Sequence, residues 1–207
     1  MSAPLTGIDV SNNQGTIDWA KVAHDPQRIR FAFVKASEGL TFTDAFYARN
    51  RRDATKLGIP VGAYHYAHPA NDPIAEAKHF LNVARPKPGD LRPALDLEED
   101  DGVPRLTVRR YALWWLRYVH MEVGLKPLLY TYPAFASEHS FAMTATLQHF
   151  PLWIANYEVS KPTIPKPWSD AAFWQYSSSG KVKGVAGRCD MNRLLVEGDP
   201  LAPWRLP

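Results

Sequence analysis

The segment Ala94-Leu95-Asp96-Leu97-Glu98-Glu99-Asp100-Asp101 holds the residues best suited to chemistry. Its first half reads as a strand, on which residues two apart face the same way. Asp96 and Glu98 therefore point together, roughly 7 Å apart at Cα by strand rise. Leu95 and Leu97 point the other way, toward covering helices. Two acids on the inner face of a strand are costly unless they do something. Such a pair suits cleavage of a glycosidic bond. One carboxyl donates a proton, and the other stabilises the oxocarbenium-like transition state, directly or through a substrate group that it holds. Glu99, Asp100 and Asp101 read instead as an acidic loop after the strand.

Two further acids sit at comparable places. Asp9 ends a first strand in Gly7-Ile8-Asp9-Val10-Ser11, and Asp190 opens a last one in Cys189-Asp190-Met191-Asn192. First and last strands are neighbours in a closed barrel, so these acids are candidates for the same site. A turn or cap role is the alternative for each. Tyr64 and Tyr66 share a face of one strand and are candidates to line a sugar cleft, with packing as the alternative. Tyr130, Trp153, Gln175 and Tyr176 lie near strand ends and join them as substrate-binding candidates. For Gln175 a structural role is equally open. Trp114, Trp115, Trp168 and Trp204 read as core or edge packing.

No metal site is expected. His65 and His68 are three apart on a strand running into a loop, a spacing that does not place both imidazoles on one ion. Cys189 has no histidine placed by sequence to activate it, and reads as a free buried thiol. No phosphate-loop spacing occurs, and no cofactor is expected.

The elements that must position these groups alternate. Strands are read at Thr6–Val10, Arg30–Lys35, Ile59–Tyr66, Pro93–Glu98 and Leu128–Thr131. Helices lie between them at Asp18–Ala23, Thr43–Leu57, Ile74–Val83 and Thr107–Val123. Thr43 is the expected N-cap of the second helix and Gly58 its stop; Asp72-Pro73 starts the third and Gly124 ends the fourth. The rhythm then changes. Leu152–Asn156, Ala172–Tyr176 and Asp190–Leu195 read as strands joined by segments rich in Pro and Gly. Five β/α units followed by three strands predict an α/β fold, an irregular TIM-like barrel of (β/α)5β3 type. A doubly wound sheet is the structural rival. With no internal repeat or linker, residues 1–207 read as a single domain.

Composition narrows the function. The chain has 207 residues and a net charge of +3, with no run of Lys and Arg that would read as a nucleic-acid patch. Seven Trp, nine Tyr and nine Phe are many for this length; some belong to the core, but a glycan enzyme also needs aromatic platforms for sugar rings. A single cysteine forbids an internal disulfide. The N-terminus lacks the pattern of a secretory signal, and no stretch is long and apolar enough to span a membrane.

The motifs taken in order resemble the family-25 glycoside hydrolases, the muramidases of bacteria and phage lysins. They are Gly7-Ile8-Asp9-Val10-Ser11, Phe33-Val34-Lys35-Ala36-Ser37-Glu38-Gly39, Gly62-Ala63-Tyr64-His65-Tyr66, Asp96-Leu97-Glu98, Leu129-Tyr130-Thr131, Leu152-Trp153-Ile154-Ala155, Trp174-Gln175-Tyr176 and Asp190-Met191-Asn192. The resemblance spans Gly7 to Leu194. It implies the same five-plus-three barrel, Glu98 as general acid, and Asp9, Asp96 and Asp190 around it in an acidic pocket. It implies cleavage of the β-1,4 link from N-acetylmuramic acid to N-acetylglucosamine in peptidoglycan. Asp96 would be the nucleophile, or would orient the substrate's acetamido group; both routes retain configuration. Lys35 and Glu38 belong to one motif and read as an ion pair or a loop-shaping hydrogen bond. Ser37 stands where Thr is usual, and Cys189 where an aliphatic residue is common. The expected partner is a glycan strand, met by a monomer that reaches the wall through lysis, a holin or another route without a signal. Two rival functions remain at this point. A chitinase-like enzyme usually has a further Asp where this chain has Ala94, and a non-catalytic glycan-binding barrel would be expected to have lost one of the four carboxylates.

Overall fold

The computed structural model describes residues 4–195 and 201–207. Its strands are β1 (Thr6–Val10), β2 (Ile29–Glu38), β3 (Phe42–Thr43), β4 (Val61–Tyr66), β5 (Leu91–Asp96), β6 (Leu128–Thr131), β7 (Leu152–Ala155), β8 (Phe173–Gly180) and β9 (Cys189–Leu194). Its α-helices are α1 (Trp19–Ala23), α2 (Tyr47–Lys56), α3 (Pro73–Ala84), α4 (Arg105–Val123) and α5 (Pro133–Glu138). The strands bond in the order β1-β2-β4-β5-β6-β7-β8-β9, and β9 returns to β1, so the sheet closes. Strands β1 to β8 of this ring run parallel, and β9 is antiparallel to both neighbours. β3 extends the end of β2 outside the ring. Closure excludes the doubly wound sheet, and the architecture is the expected irregular (β/α)5β3 barrel.

Side-chain alternation sorts the strands into two cores. Outward residues Ile8, Val34, Leu95, Leu129 and Ile154 pack under the helices. Helix α4 answers with Val108, Tyr111, Ala112, Trp115, Leu116 and Val119, all buried and three or four apart. Truncating the fully buried Trp115 to Ala would cost about 3–5 kcal/mol. Inward residues Phe31, Phe33, Tyr64, Leu128, Tyr130, Trp153 and Phe173 fill the barrel. Gly7 and Gly62 make room for them: a Cβ at either would lie within 2.5 Å of the Phe31 or Phe33 ring. Residues 201–206 close the N-terminal end of the barrel. Trp204 meets Phe173 edge-on at 5.3 Å, and Arg205 bridges to Leu91.

Several boundaries shift by a few residues from the sequence expectation, and two of the differences bear on the site. Helix α2 begins at Tyr47, because Thr43 pairs with Ser37 in β3 and Asp44 shapes the turn by accepting from Phe46 N at 2.8 Å. β5 pairs only as far as Asp96, yet Leu97 N still donates to Tyr130 O at 3.0 Å. That bond carries the alternation one step further and turns Glu98 to the same side as Asp96. Asp72 caps α3 as expected, accepting from Ile74 N and Ala75 N at 2.9 and 2.8 Å. Trp114, expected in packing, is 53% exposed on α4.

Candidate active site

The parallel strands end on one side of the barrel, and the inward residue nearest each end faces a common pocket. Asp9, Lys35, Tyr64, Tyr66, Asp96, Glu98, Tyr130, Trp153, Gln175 and Asp190 all line it. The structure thus brings together the four carboxylates singled out by the sequence. Asp9 and Asp190 are paired directly across the antiparallel β1–β9 register.

The walls of the pocket fix these acids unequally. Asp9 is 5% exposed, and its Oδ2 accepts from Gln175 Nε2 at 2.8 Å and from Asn192 Nδ2 at 2.7 Å. Asn192 Oδ1 accepts in turn from Trp153 Nε1 at 2.8 Å. Gln175 Oε1 accepts from Tyr130 Oη at 2.9 Å and also from Tyr157 Oη. Asp96 is buried, and its Oδ1 has no hydrogen-bond partner among the described residues. Glu98 follows the strand, on a loop pinned at both sides. Asp100 Oδ2 meets His139 Nε2 at 2.9 Å, and Asp101 Oδ1 meets His68 Nδ1 at 3.0 Å. Asp100 and Asp101 therefore anchor the loop, as the acidic-loop reading of the sequence anticipates.

Electrostatics follow from this crowding. Burial, then the Glu98 and Asp9 charges, push the Asp96 carboxyl well above the usual range. Burial, then Glu99 and Asp190, raise Glu98. Burial and then Asp190 raise Asp9, against the pull of its two amide donors. Burial raises Asp190, which a hydrogen bond from Asp9 pulls back. Lys35 is the one cation lining the pocket among the described residues, and it lowers both Asp96 and Glu98. Its Nζ lies 2.5 Å from Glu38 Oε2 and 4.7 Å from the centre of the Tyr66 ring.

The aromatic candidates divide. Tyr66 stands half-buried at the rim. Trp153, 2% exposed, stacks on Phe33 at 4.3 Å and lies edge-on to Tyr130 at 4.7 Å, so these rings form a floor. Trp153 is positioned to support Asn192 and lacks an open face for a sugar. Tyr176 is the clear departure. It follows inward-facing Gln175 and so faces outward, where Arg193 lies 4.2 Å above its ring. It does not line the pocket. Sequence reasoning missed Asn192, although its spacing of two from Asp190 was the available signal. It also missed Tyr157, a loop residue that no periodicity marks.

His65 and His68 take separate roles. Buried His65 spans Ser37 Oγ at 2.9 Å and Glu76 Oε2 at 2.7 Å. His68 bridges Asp101 to Glu38, the carboxylate that holds Lys35.

Acids gathered at the C-terminal mouth of a parallel barrel, over an aromatic floor, define the class of a glycoside hydrolase. Comparison with known proteins gives the particular group. The chain belongs to the glycosyl hydrolases family 25, whose model matches residues 8–185. It is 35% identical to the autolytic lysozyme of Clostridium acetobutylicum over 194 residues, covering 91% of this chain and 55% of that one. It is 31% identical to lysozyme M1 of Streptomyces globisporus, covering 91% of this chain and 67% of that one. The bacterial lysozyme from Streptomyces coelicolor superposes with a TM-score of 0.88 at 28% identity, over 96% of this chain and 95% of that chain.

Proposed function

We propose that this chain is a muramidase, hydrolysing the β-1,4 bond from N-acetylmuramic acid to N-acetylglucosamine in bacterial peptidoglycan with retention of configuration. Glu98 is the general acid and then the general base. Asp96 is the nucleophile or the group that orients the substrate's acetamido arm. Asp9 and Asp190 tune the charge of the site. Tyr64, Tyr66 and Tyr130 contribute to sugar binding. The reading makes residues 1–207 one catalytic domain, a monomer acting on the cell wall.

The observation that carries this reading is the shared facing of Asp96 and Glu98 into one acid-rich pocket. A general acid must keep its proton near neutral pH, and burial with neighbouring negative charge raises Glu98 in that direction. Asp96 Oδ1, buried without a donor, suits an acetamido N–H. Such a donor would favour the ionised carboxylate at the moment it is needed.

The test is trapping with a 2-fluoro muramyl glycoside, followed by peptide mass mapping. An adduct on Asp96 would establish the direct nucleophile and sink the acetamido route. Release of a cyclised oxazoline product from a slow substrate, with no adduct, would support the assisted route. Products of inverted anomeric configuration by NMR would refute both.

A further inference from the structure

A second surface feature lies apart from the acid pocket. Helix α2 and the link after α3 enclose a groove of about 790 Å³, floored by Tyr47 and Val83. Arg51, Arg52 and Lys56 stand on one wall, and Arg85 and Lys87 on the other. Residues 47–56 and 82–90 together carry six cations and two acids. These two stretches therefore hold more positive charge than the whole chain's net +3, and the remainder is slightly acidic.

The groove itself is lined by five of these cations and by two acids, Asp44 and Asp90; Asp44 is taken up by the backbone N–H groups of Asn12 and Phe46. Asp90 is bridged by Arg51, and Asp53 by Arg52 at 2.9 Å. Lys56, Arg85 and Lys87 are exposed and have no carboxylate partner among the described residues. The backbone presenting the last two is stiff, because Arg85-Pro86-Lys87-Pro88 alternates cation and proline. Arg85 itself caps α3 at φ 43°, in the left-handed region that glycine occupies freely. The far end of the groove, at Thr43 and Asp44, adjoins the acid pocket. Asp44 accepts from Asn12 N at 2.7 Å, and the next residues, Asn13 and Gln14, line that pocket.

We propose that this groove binds a linear polymer bearing phosphodiester groups, of the kind attached to cell walls, and so holds the wall beside the acid pocket. The choice of a wall polymer rests on the muramidase reading. Cations on both walls of a groove match anions repeated along an extended chain. Fixed cations on a proline-stiffened link lose little freedom on binding.

The test uses the full chain and its Lys56→Glu/Arg85→Glu/Lys87→Glu variant. Co-sedimentation is measured with walls that retain their phosphodiester polymer and with the same walls after its acid extraction. Soluble poly(glycerol phosphate) and duplex DNA are the probes, and turnover is followed on a phosphate-free glycan oligomer. The expected result is about tenfold weaker binding for the variant, steeply salt-dependent binding of the wild type, and unchanged turnover. Extracted walls should bind both proteins equally weakly. Equal binding of native walls by variant and wild type would overturn the proposal. So would undiminished binding to extracted walls, or equally tight binding of DNA. A wild type that binds the polymer through these residues but leaves the oligomer uncut would uphold the groove and sink the muramidase reading.

Discussion

Asp9 and Asp190 stand opposite one another in the antiparallel β1–β9 pair, where each carboxyl bears on the other's proton. Two like charges in that position destabilise a sheet unless they share a proton. Asp9 is the more buried, and burial followed by the Asp190 charge pushes it well above the ordinary carboxylate range. Burial and the neighbouring carboxyl thus both favour a proton on Asp9, which reduces the negative charge beside the Glu98 site.

This crowding sets the pH dependence of stability. Asp9, Asp96, Glu98 and Asp190 are all raised in the folded state. Between the unfolded carboxyl values near 4 and the raised folded values, the native state binds more protons than the unfolded chain. Stability must then fall as pH rises through that window, and the penalty is complete above it. Asp96→Asn should raise Tm by about 3–6 °C at pH 7 and by much less near pH 4. Calorimetry at the two pH values checks this, and a lower Tm at pH 7 would contradict it.

Asn192 is the positioning residue behind Asp9. Its Nδ2 donates to Asp9 Oδ2, while its Oδ1 receives Trp153 Nε1. Asn192→Leu leaves Trp153 Nε1 unsatisfied in a buried place, at a cost of about 1–3 kcal/mol, and leaves Asp9 Oδ2 with Gln175 as its donor. It also removes a donor that lowers Asp9. Because the Asp9 charge raises Asp96, a more readily protonated Asp9 should let Asp96 ionise at lower pH, and the acid limb of the pH–rate profile should move downward, with kcat changing more than KM. Asn192→Asp, equal in size but unable to donate when ionised, should shift the limb in the same direction. An unshifted limb in both variants would reduce Asn192 to packing.

Lys35 acts in the opposite sense, holding Asp96 and Glu98 down. In Lys35→Met the proton on Glu98 becomes harder to remove. With Glu98 as the proposed acid, the alkaline limb of kcat/KM should move to higher pH. Movement to lower pH would show that the lysine acts by some other means.

The buried network on the helical side is expected to matter for folding. Burial favours the neutral form of Glu76, but hydrogen bonds from His65, Tyr111 and Asn71 bring its carboxyl below the usual value. Glu76→Ala leaves these donors facing an empty space and should destabilise the fold by about 3–5 kcal/mol. Urea titration measures this. A loss below about 1 kcal/mol would mean that the network relaxes or admits water.

Much of this site was legible because strand alternation is rigid. The facing of Asp96 with Glu98 follows from a period of two, and the strand-end positions of Asp9 and Asp190 follow from barrel closure. The same rule explains the failure at Tyr176. Adjacent residues of a strand cannot both face inward, and Gln175 took that place. Thr43 misled because its cap chemistry suits a helix start, whereas pairing with Ser37 drew it into β3. Tyr157 was invisible because its approach to Gln175 depends on how a loop folds back.

The central claim is that Glu98 is the acid of a muramidase. Purified peptidoglycan should be digested with wild type and with Glu98→Gln, then reduced with borohydride and analysed by mass spectrometry. New reducing N-acetylmuramic acid ends should appear with wild type. They should be lower by about 10²–10⁴-fold with the folded variant. Wild-type yields from Glu98→Gln, or reducing N-acetylglucosamine ends in place of N-acetylmuramic acid, would contradict the account.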